Sequence, residues 1–278
     1  MSLFALSIVL FAALLHASWN AMVKAGGDRA LILAGVALSH ALVGLALILL
    51  SEAPARESWP ALIISTLVHY AYYALLFQAY RLGDLSQVYP ISRGLAPMLV
   101  AVGAFLLIGE SLPPMAWAGL IAVSLGIWLL SLRPQGMEVD RRAVIVAVVL
   151  GLAIASYSVA DGIGVRLAGD PTGYMGWLFL LEAPVVFAVL GPRILRRGAI
   201  DPRTFALGML GGVFAVTAYG LVLYAKTIAP IGVVSAVRES SVVIAALIGV
   251  ILLGERPWKK RLAAALIVAT GVVALAAS

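Results

Sequence analysis

Two arginines stand where arginine is costly. Arg93 and Arg238 each fall eight or nine residues into an apolar run, which at about 1.5 Å per helical residue puts them roughly 12 Å from its start. An ionised side chain near the bilayer centre costs at least about 2.5–3.5 kcal/mol on insertion scales. A guanidinium cannot shed its proton, and its planar fork of N–H donors matches a carboxylate or phosphate. The functional reading is that one or both arginines hold an anionic group of a small molecule. The structural reading pairs Arg238 with adjoining Glu239, and Arg93 with a carbonyl freed by Pro90 or Pro97. Arg93 is the stronger candidate, because its own helix offers no acidic neighbour beyond Asp84.

Polar residues surround the two positions. Tyr89 precedes Arg93 by one helical turn, so both share a face, continued by Ser86 and Pro97. Ser235 and Ser241 flank Arg238. Trp19 and Asn20, Tyr72 and Tyr73 before Gln78, Tyr157 and Ser158, and Tyr219 and Tyr224 add polar tips in other apolar runs. The candidate substrate-binding set is Arg93, Arg238, Tyr89, Trp19, Asn20, Tyr73, Tyr157, Tyr219 and Ser235. A tyrosine in a span is often a packed ring or an interface anchor, so no one ring decides the matter. Glu239, Asp161, Glu182 and His16 are the candidates for coupling transport to protons. Glu239 also reads as an ion pair with Arg238, and Asp161 as a local pair with Arg166. Glu110 and Glu255, each beside a glycine, read as structural, capping or gating groups.

Several chemistries are excluded. With no cysteine in the chain, thiol catalysis, disulfides and iron–sulfur clusters are out. His16, His40 and His69 are scattered without metal-site spacing. No Walker A loop, G-x-S-x-G elbow or paired-carboxylate motif occurs. The chain is therefore not expected to be an enzyme, and no metal or cofactor is expected.

The elements that position these residues follow from composition. Of 278 residues, 63% are hydrophobic and 12% charged, against roughly 45–50% and 25% in soluble domains. The bilayer must be the solvent, and the long non-alternating runs favour helices over a barrel. Ten spans are expected: Leu3–Val23, Leu31–Leu50, Ala61–Tyr80, Leu85–Ile108, Met115–Leu132, Ala143–Val165, Gly173–Leu190, Thr204–Ala225, Ile231–Leu253 and Leu262–Ala277. The apolar start reads as a retained first span, since a basic region and cleavage site are missing.

The two halves match. "AYYALLFQAYR" from Ala71 parallels "AYGLVLYAKT" from Ala218, "LLIGE" ending at Glu110 parallels "ILLGE" ending at Glu255, and "ASWN" at Ala17 parallels "ASYS" at Ala155. Arg93 and Arg238 are 145 positions apart, the same shift as the Gly-Glu pair. An odd number of spans per half inverts the second half. The fold class expected is an all-α polytopic membrane protein, with ten transmembrane helices as two inverted five-helix repeats. The repeats cover 1–133 and 143–278, with a linker at 134–142. Loops after odd-numbered spans hold 14 Lys and Arg and the other loops three, which places the odd loops in the cytoplasm and both termini outside. The formal charge of +6 is thus loop charge and no sign of nucleic acid.

The blocks "AYRLGDLSQVYPISRGLAPMLVAVGAFLLIGE" (79–110) and "AKTIAPIGVVSAVRESSVVIAALIGVILLGE" (225–255), with "HASWNAMVK" in the first span, resemble the drug/metabolite transporter superfamily in its ten-helix EamA-type branch. The resemblance covers essentially the whole chain. The family often carries a late proline in each block. Here Pro97 stands in the first and Val242 in the second, so the halves differ at the kink. The resemblance implies a secondary transporter, a cargo such as an amino acid or related metabolite, often exported, and a bacterial inner membrane. The arginines favour an anionic or zwitterionic cargo, organophosphonates included. A channel or receptor-like protein is the alternative, and a lipid-acting intramembrane enzyme is a third. The expected partners are a small-molecule cargo and the lipid bilayer, with a homodimer left open.

Overall fold

A computed structural model describes residues 1–25, 28–81, 85–131, 141–195, 200–253 and 258–278. The side chains at 24–25, 77, 79–81, 85–87, 131, 194–195 and 248–253 are outside the description. So are Asp84, the Ser86 side chain, Glu255 and the expected linker up to residue 140. The described residues form helices α1 (Leu3–Ala25), α2 (Arg29–Leu50), α3 (Trp59–Arg81), α4 (Leu85–Ile108), α5 (Pro114–Ser131), α6 (Arg141–Leu167), α7 (Pro171–Leu180), α8 (Ala183–Leu195), α9 (Pro202–Ile228), α10 (Ile231–Arg238), α11 (Ser240–Leu253) and α12 (Trp258–Ala277).

These helices make ten crossings. Eight stretches are long and apolar enough to span a membrane, α7 and α8 counting as one, and α5 is a shorter ninth. The tenth is α10 with α11. Consecutive Phe105, Leu106 and Leu107 are all more than half exposed, which only a hydrocarbon solvent tolerates at this density.

The packing follows an inverted two-fold plan. Across the halves, α1 packs on α9, and their counterparts α6 and α3 pack on each other. The α4–α6 contact is matched by that of α1 with α10 and α11. Three further pairs relate each element to its own counterpart: α2 with α7, α4 with α10, and α5 with α12. Small residues allow close approach in such pairs, where lipid supplies no hydrophobic drive between helices. A methyl added to Gly119 would sit 2.8 Å from the Gly271 carbonyl oxygen, and one on Gly271 would sit 2.8 Å from that of Gly119.

Two aspartates mark the same relation. Asp28 caps α2 by accepting from the Leu31 N–H, and also takes the fork of Arg193 on α8 at 2.6 and 3.0 Å. Asp170 caps α7 through the Thr172 N–H at 2.8 Å, and also accepts from the Glu52 backbone N–H just after α2. Each is thus the N-cap of the second span of its half and reaches the far end of the other half's second span.

Two expected spans are interrupted. The seventh breaks at Leu181–Glu182. Pro184, the second residue of α8, has no N–H to return to the preceding turn, and Tyr70 from α3 donates its hydroxyl to the Leu181 carbonyl. The ninth breaks at Glu239, which bonds back to the Ala236 carbonyl at 3.1 Å, while the Val242 N–H bonds to the Glu239 carbonyl at 3.0 Å. The proline argument pointed to the other half, yet α4 continues through Pro90 and Pro97. Both breaks leave a glutamate at the start of a downstream half-helix, where the macrodipole favours negative charge.

Candidate functional site

A cavity of about 90 Å³ lies between the halves. Its wall comes from α1, α2, α3, α4, α6, the α7–α8 break, α9 and the end of α10. Arg93 and Arg238 both contribute to it, as do Trp19, His16, Tyr73, Tyr157, Glu182 and Tyr219. The wall residues of α1, α2 and α3 run from mid-depth towards the basic odd-loop face, as Trp19, Leu33 and Leu76 mark.

The arginines form one network across the halves. Arg93 Nε lies 2.7 Å from Glu239 Oε2, and Arg238 lies 3.5 Å from Oε1 of the same carboxylate. All three residues are at least 95% buried. The anion that serves Arg93 therefore comes from span nine of the opposite half, and neither freed carbonyls nor its own helix supply it. Arg238 also lies over the Tyr219 ring at 5.8 Å, while Arg93 lies over Tyr89 at the same distance. Arg238 Nε and the hydroxyls of Ser235, Ser240 and Ser241 are buried without a hydrogen-bond partner.

His16 joins this network as an acceptor. Arg93 approaches its Nε2 at 3.3 Å and Trp19 donates to its Nδ1 at 3.1 Å. Both neighbours can only donate, and a neutral imidazole offers one acceptor nitrogen. A further proton here would face two donors, which argues against His16 as the proton carrier.

A second acidic centre lies at the α7–α8 break. Glu182 Oε2 accepts from the Tyr73 hydroxyl at 2.7 Å and stands 2.8 Å from His40 Nδ1. Between the two centres the wall is aromatic. His69 stacks on Tyr157 at 4.1 Å, and Tyr72 and Tyr219 meet Tyr157 edge-on at 5.8 and 6.2 Å.

Asp161 lies behind Tyr219, outside the wall. It accepts from the hydroxyls of Tyr174 at 3.0 Å and of Tyr219. The local pair with Arg166 does not form. Arg166 instead binds Glu110 at 2.9 Å, the Lys226 carbonyl at 2.7 Å and the Ala229 carbonyl at 2.8 Å. Glu110 in turn accepts from the Gly232 N–H. This ties the ends of α4, α6 and α9 to the start of α10 at the even-loop face, so Glu110 holds a structural position there.

Other expectations are corrected. Asn20 is not on the wall, because its amide donates to the His16 carbonyl at 2.7 Å. Ser235 and Tyr89 are not among the wall residues, and Tyr224 is 42% exposed. Lys226, read as a loop residue, is fully buried in α9 and donates to the Ser158 carbonyl at 2.8 Å. The repeat alignment held the signal: Ala79 matches Ala225, so Lys226 matches Tyr80, which was placed inside span three. His69 reads equally as a hydrogen-bonded helix residue or a coupler, and His40 was left out of the candidates although it is an ionisable group in an apolar span, the same ground on which the arginines were chosen.

The comparisons with known proteins agree with this architecture. The EamA-like transporter family model matches residues 3–132 and again 141–277, so the chain belongs to that family and to the drug/metabolite transporter superfamily. It is a multi-pass membrane protein. A curated Sinorhizobium protein named an uncharacterized transporter in the cobO 3' region is 36% identical over 81 residues, 29% of this chain. The match spans 56% of that relative's length. A solved crystal structure superposes with a TM-score of 0.76 at 18% identity, covering 99% of this chain and 96% of its own. At that identity the likeness concerns the fold alone.

Proposed function

We propose that this transporter carries a small anionic or zwitterionic metabolite, such as an amino acid or organophosphonate, by alternating access of its two inverted halves. One observation carries the reading: Arg93 and Arg238, at equivalent repeat positions, line one buried cavity and share a single carboxylate, Glu239. Two guanidiniums against one carboxylate leave a surplus positive charge, and Arg238 Nε lacks a partner. A cargo carboxylate or phosphonate supplies the missing anion and acceptors. Tyr157, Tyr73 and Tyr219 shape the aromatic wall for the rest of the cargo.

Inverted repeats with a site at their interface, built on broken helices, are a recurrent carrier plan. The Arg166–Glu110 cluster supports a state closed at the even-loop face. The loop charge bias supports odd loops in the cytoplasm and termini outside, and the family resemblance with the compact loops supports a bacterial inner membrane. The family resemblance favours export. The repeats are taken as 1–133 and 143–278, joined by 134–142.

The test is counterflow in proteoliposomes, with radiolabelled L-alanine and 2-aminoethylphosphonate as probes. A carrier loaded with unlabelled probe accumulates label transiently, whereas a channel shows no trans-stimulation. Loss of counterflow in Arg93→Ala and Arg238→Ala is expected. Full counterflow in both variants contradicts the anion site.

A further inference from the structure

We propose that Glu182 and His40 form a proton-binding site that couples proton movement to cargo movement. This rests on the carrier reading for its purpose, but its first measurement does not depend on any cargo.

Three acids are buried within the described spans. Glu239 lies between two permanent cations, Arg93 and Arg238. Asp161 is held by two tyrosine hydroxyls behind the cavity wall. Glu182 alone among the three lines the cavity, and its immediate partners are neutral or titratable: His40 at 2.8 Å and Tyr73 at 2.7 Å. A carboxylate beside an imidazole has a partner that can itself take or give a proton. A permanent guanidinium gives no such freedom.

The neighbours from each packed element allow this. Facing the site from α2 is His40, and from α3 are His69, Tyr70, Tyr72 and Tyr73. Tyr157 of α6 and Tyr219 of α9 lie around His69. Phe179 of α7 covers the His40 ring at 5.5 Å, and Tyr174 of α7 is engaged with Asp161. His40 Nε2 is buried without a hydrogen-bond partner and its residue lines the cavity, so it is placed to take up a proton from there.

Geometry links protonation to movement. Glu182 belongs to the second half and sits at the break between α7 and α8. His40 and Tyr73 belong to the first half. A proton that enters at His40 Nε2 makes the pair an imidazolium–carboxylate ion pair, which ties the break to α2. Passing the proton on Nδ1 to Glu182 Oε2, 2.8 Å away, leaves both groups neutral and releases that tie. A proton then leaves to the opposite side after the halves have moved. One proton enters, one leaves, and no electrons are transferred.

Infrared difference spectra of the purified full-length protein, titrated downward from neutral pH, test the site without cargo. A protonated-carboxyl band that grows as pH falls is expected in wild type and in Asp161→Asn, and is expected to vanish in Glu182→Gln. If Glu182→Gln fails to fold, His40→Gln serves instead, and its band is expected to shift its midpoint. A titrating band that persists in Glu182→Gln, an unmoved midpoint in His40→Gln, or no titrating carboxyl at all overturns the proposal. In proteoliposomes, a pH gradient is expected to drive accumulation of whichever probe shows counterflow, and this accumulation is expected to be lost in Glu182→Gln. Counterflow without any gradient-driven accumulation overturns proton coupling and leaves the carrier reading standing. Absence of counterflow overturns the carrier reading, and the infrared titration then decides the proton site.

Discussion

Arg93 of the first half and Glu239 of the second meet at 2.7 Å in a wholly buried pair, with Arg238 on the other oxygen of the same carboxylate. Removing one partner of such a pair strands the other charge, which typically costs about 3–5 kcal/mol. Glu239→Gln leaves two guanidiniums uncompensated, and a large fall in the melting temperature of the detergent-purified protein is expected. Arg93→Lys is expected to fail to restore transport, because an ammonium lacks the planar fork. Wild-type uptake by Arg93→Lys would mean that a point charge suffices.

Arg166 closes the even-loop face by joining Glu110 to the Lys226 and Ala229 carbonyls. Arg166→Met removes all three bonds. The chain has no cysteine, so a single Cys placed at Val222, which lines the cavity, reports access directly. Its labelling by a membrane-impermeant maleimide from the even-loop side is expected to be several-fold faster in Arg166→Met. Unchanged labelling would mean that the cluster does not hold this face closed.

The pair formed by Gly119 and Gly271 sets how closely α5 and α12 approach. Any side chain at Gly271 must displace backbone, since the Gly119 carbonyl would stand 2.8 Å from the new Cβ. Gly271→Leu is expected to destabilise by about 1–3 kcal/mol, the usual range for overpacking. Gly191, with nothing within 4 Å of its Cβ position, is the control, and Gly191→Ala is expected to leave the melting temperature unchanged.

Asp28 links its helix cap to Arg193, whose hydrogen bonds hold the Asp28 carboxyl below its ordinary pKa of 3.8. A lowered folded pKa means that the contribution to stability is complete above the ordinary value and is lost as pH falls through the folded value. The Asp28 side chain is 42% exposed, so solvent screening keeps the contribution of the pair to at most about 1 kcal/mol. Asp28→Asn is therefore expected to melt slightly below wild type at neutral pH, and the two curves are expected to converge as pH falls below the ordinary value and through the lowered folded one. Parallel curves across that range would remove the pair from the pH dependence.

Much of this arrangement was legible in the sequence, for a physical reason. Ionisable side chains are rare in apolar spans, so Arg93 and Arg238 stood out singly, and the repeat shift made them a pair. The odd number of spans per half gave the inversion. What stayed hidden depends on contacts between distant segments. Nothing along the chain says that Arg93 meets Glu239, or that Arg166 prefers Glu110 to Asp161. The break at Glu182 was readable from Pro184, but the break at Glu239 carries no proline and reflects 3₁₀-type bonding around a carboxylate drawn towards Arg93. Lys226 was missed because its charge was counted with the loop charges after span eight, while its amine is satisfied by a carbonyl of another helix.

The central claim is that two guanidiniums, one from each half, bind the anionic group of the cargo in a shared cavity. Thermal-shift titration of the purified protein tests it most directly, since a ligand that binds only the folded state raises apparent stability. L-Alanine or 2-aminoethylphosphonate is expected to raise the melting temperature of wild type. The amide or ester that masks the anion is expected to have no effect, and both responses are expected to be absent in Arg238→Ala. A shift that survives in both Arg93→Ala and Arg238→Ala, or that the masked analogues reproduce, would contradict the claim.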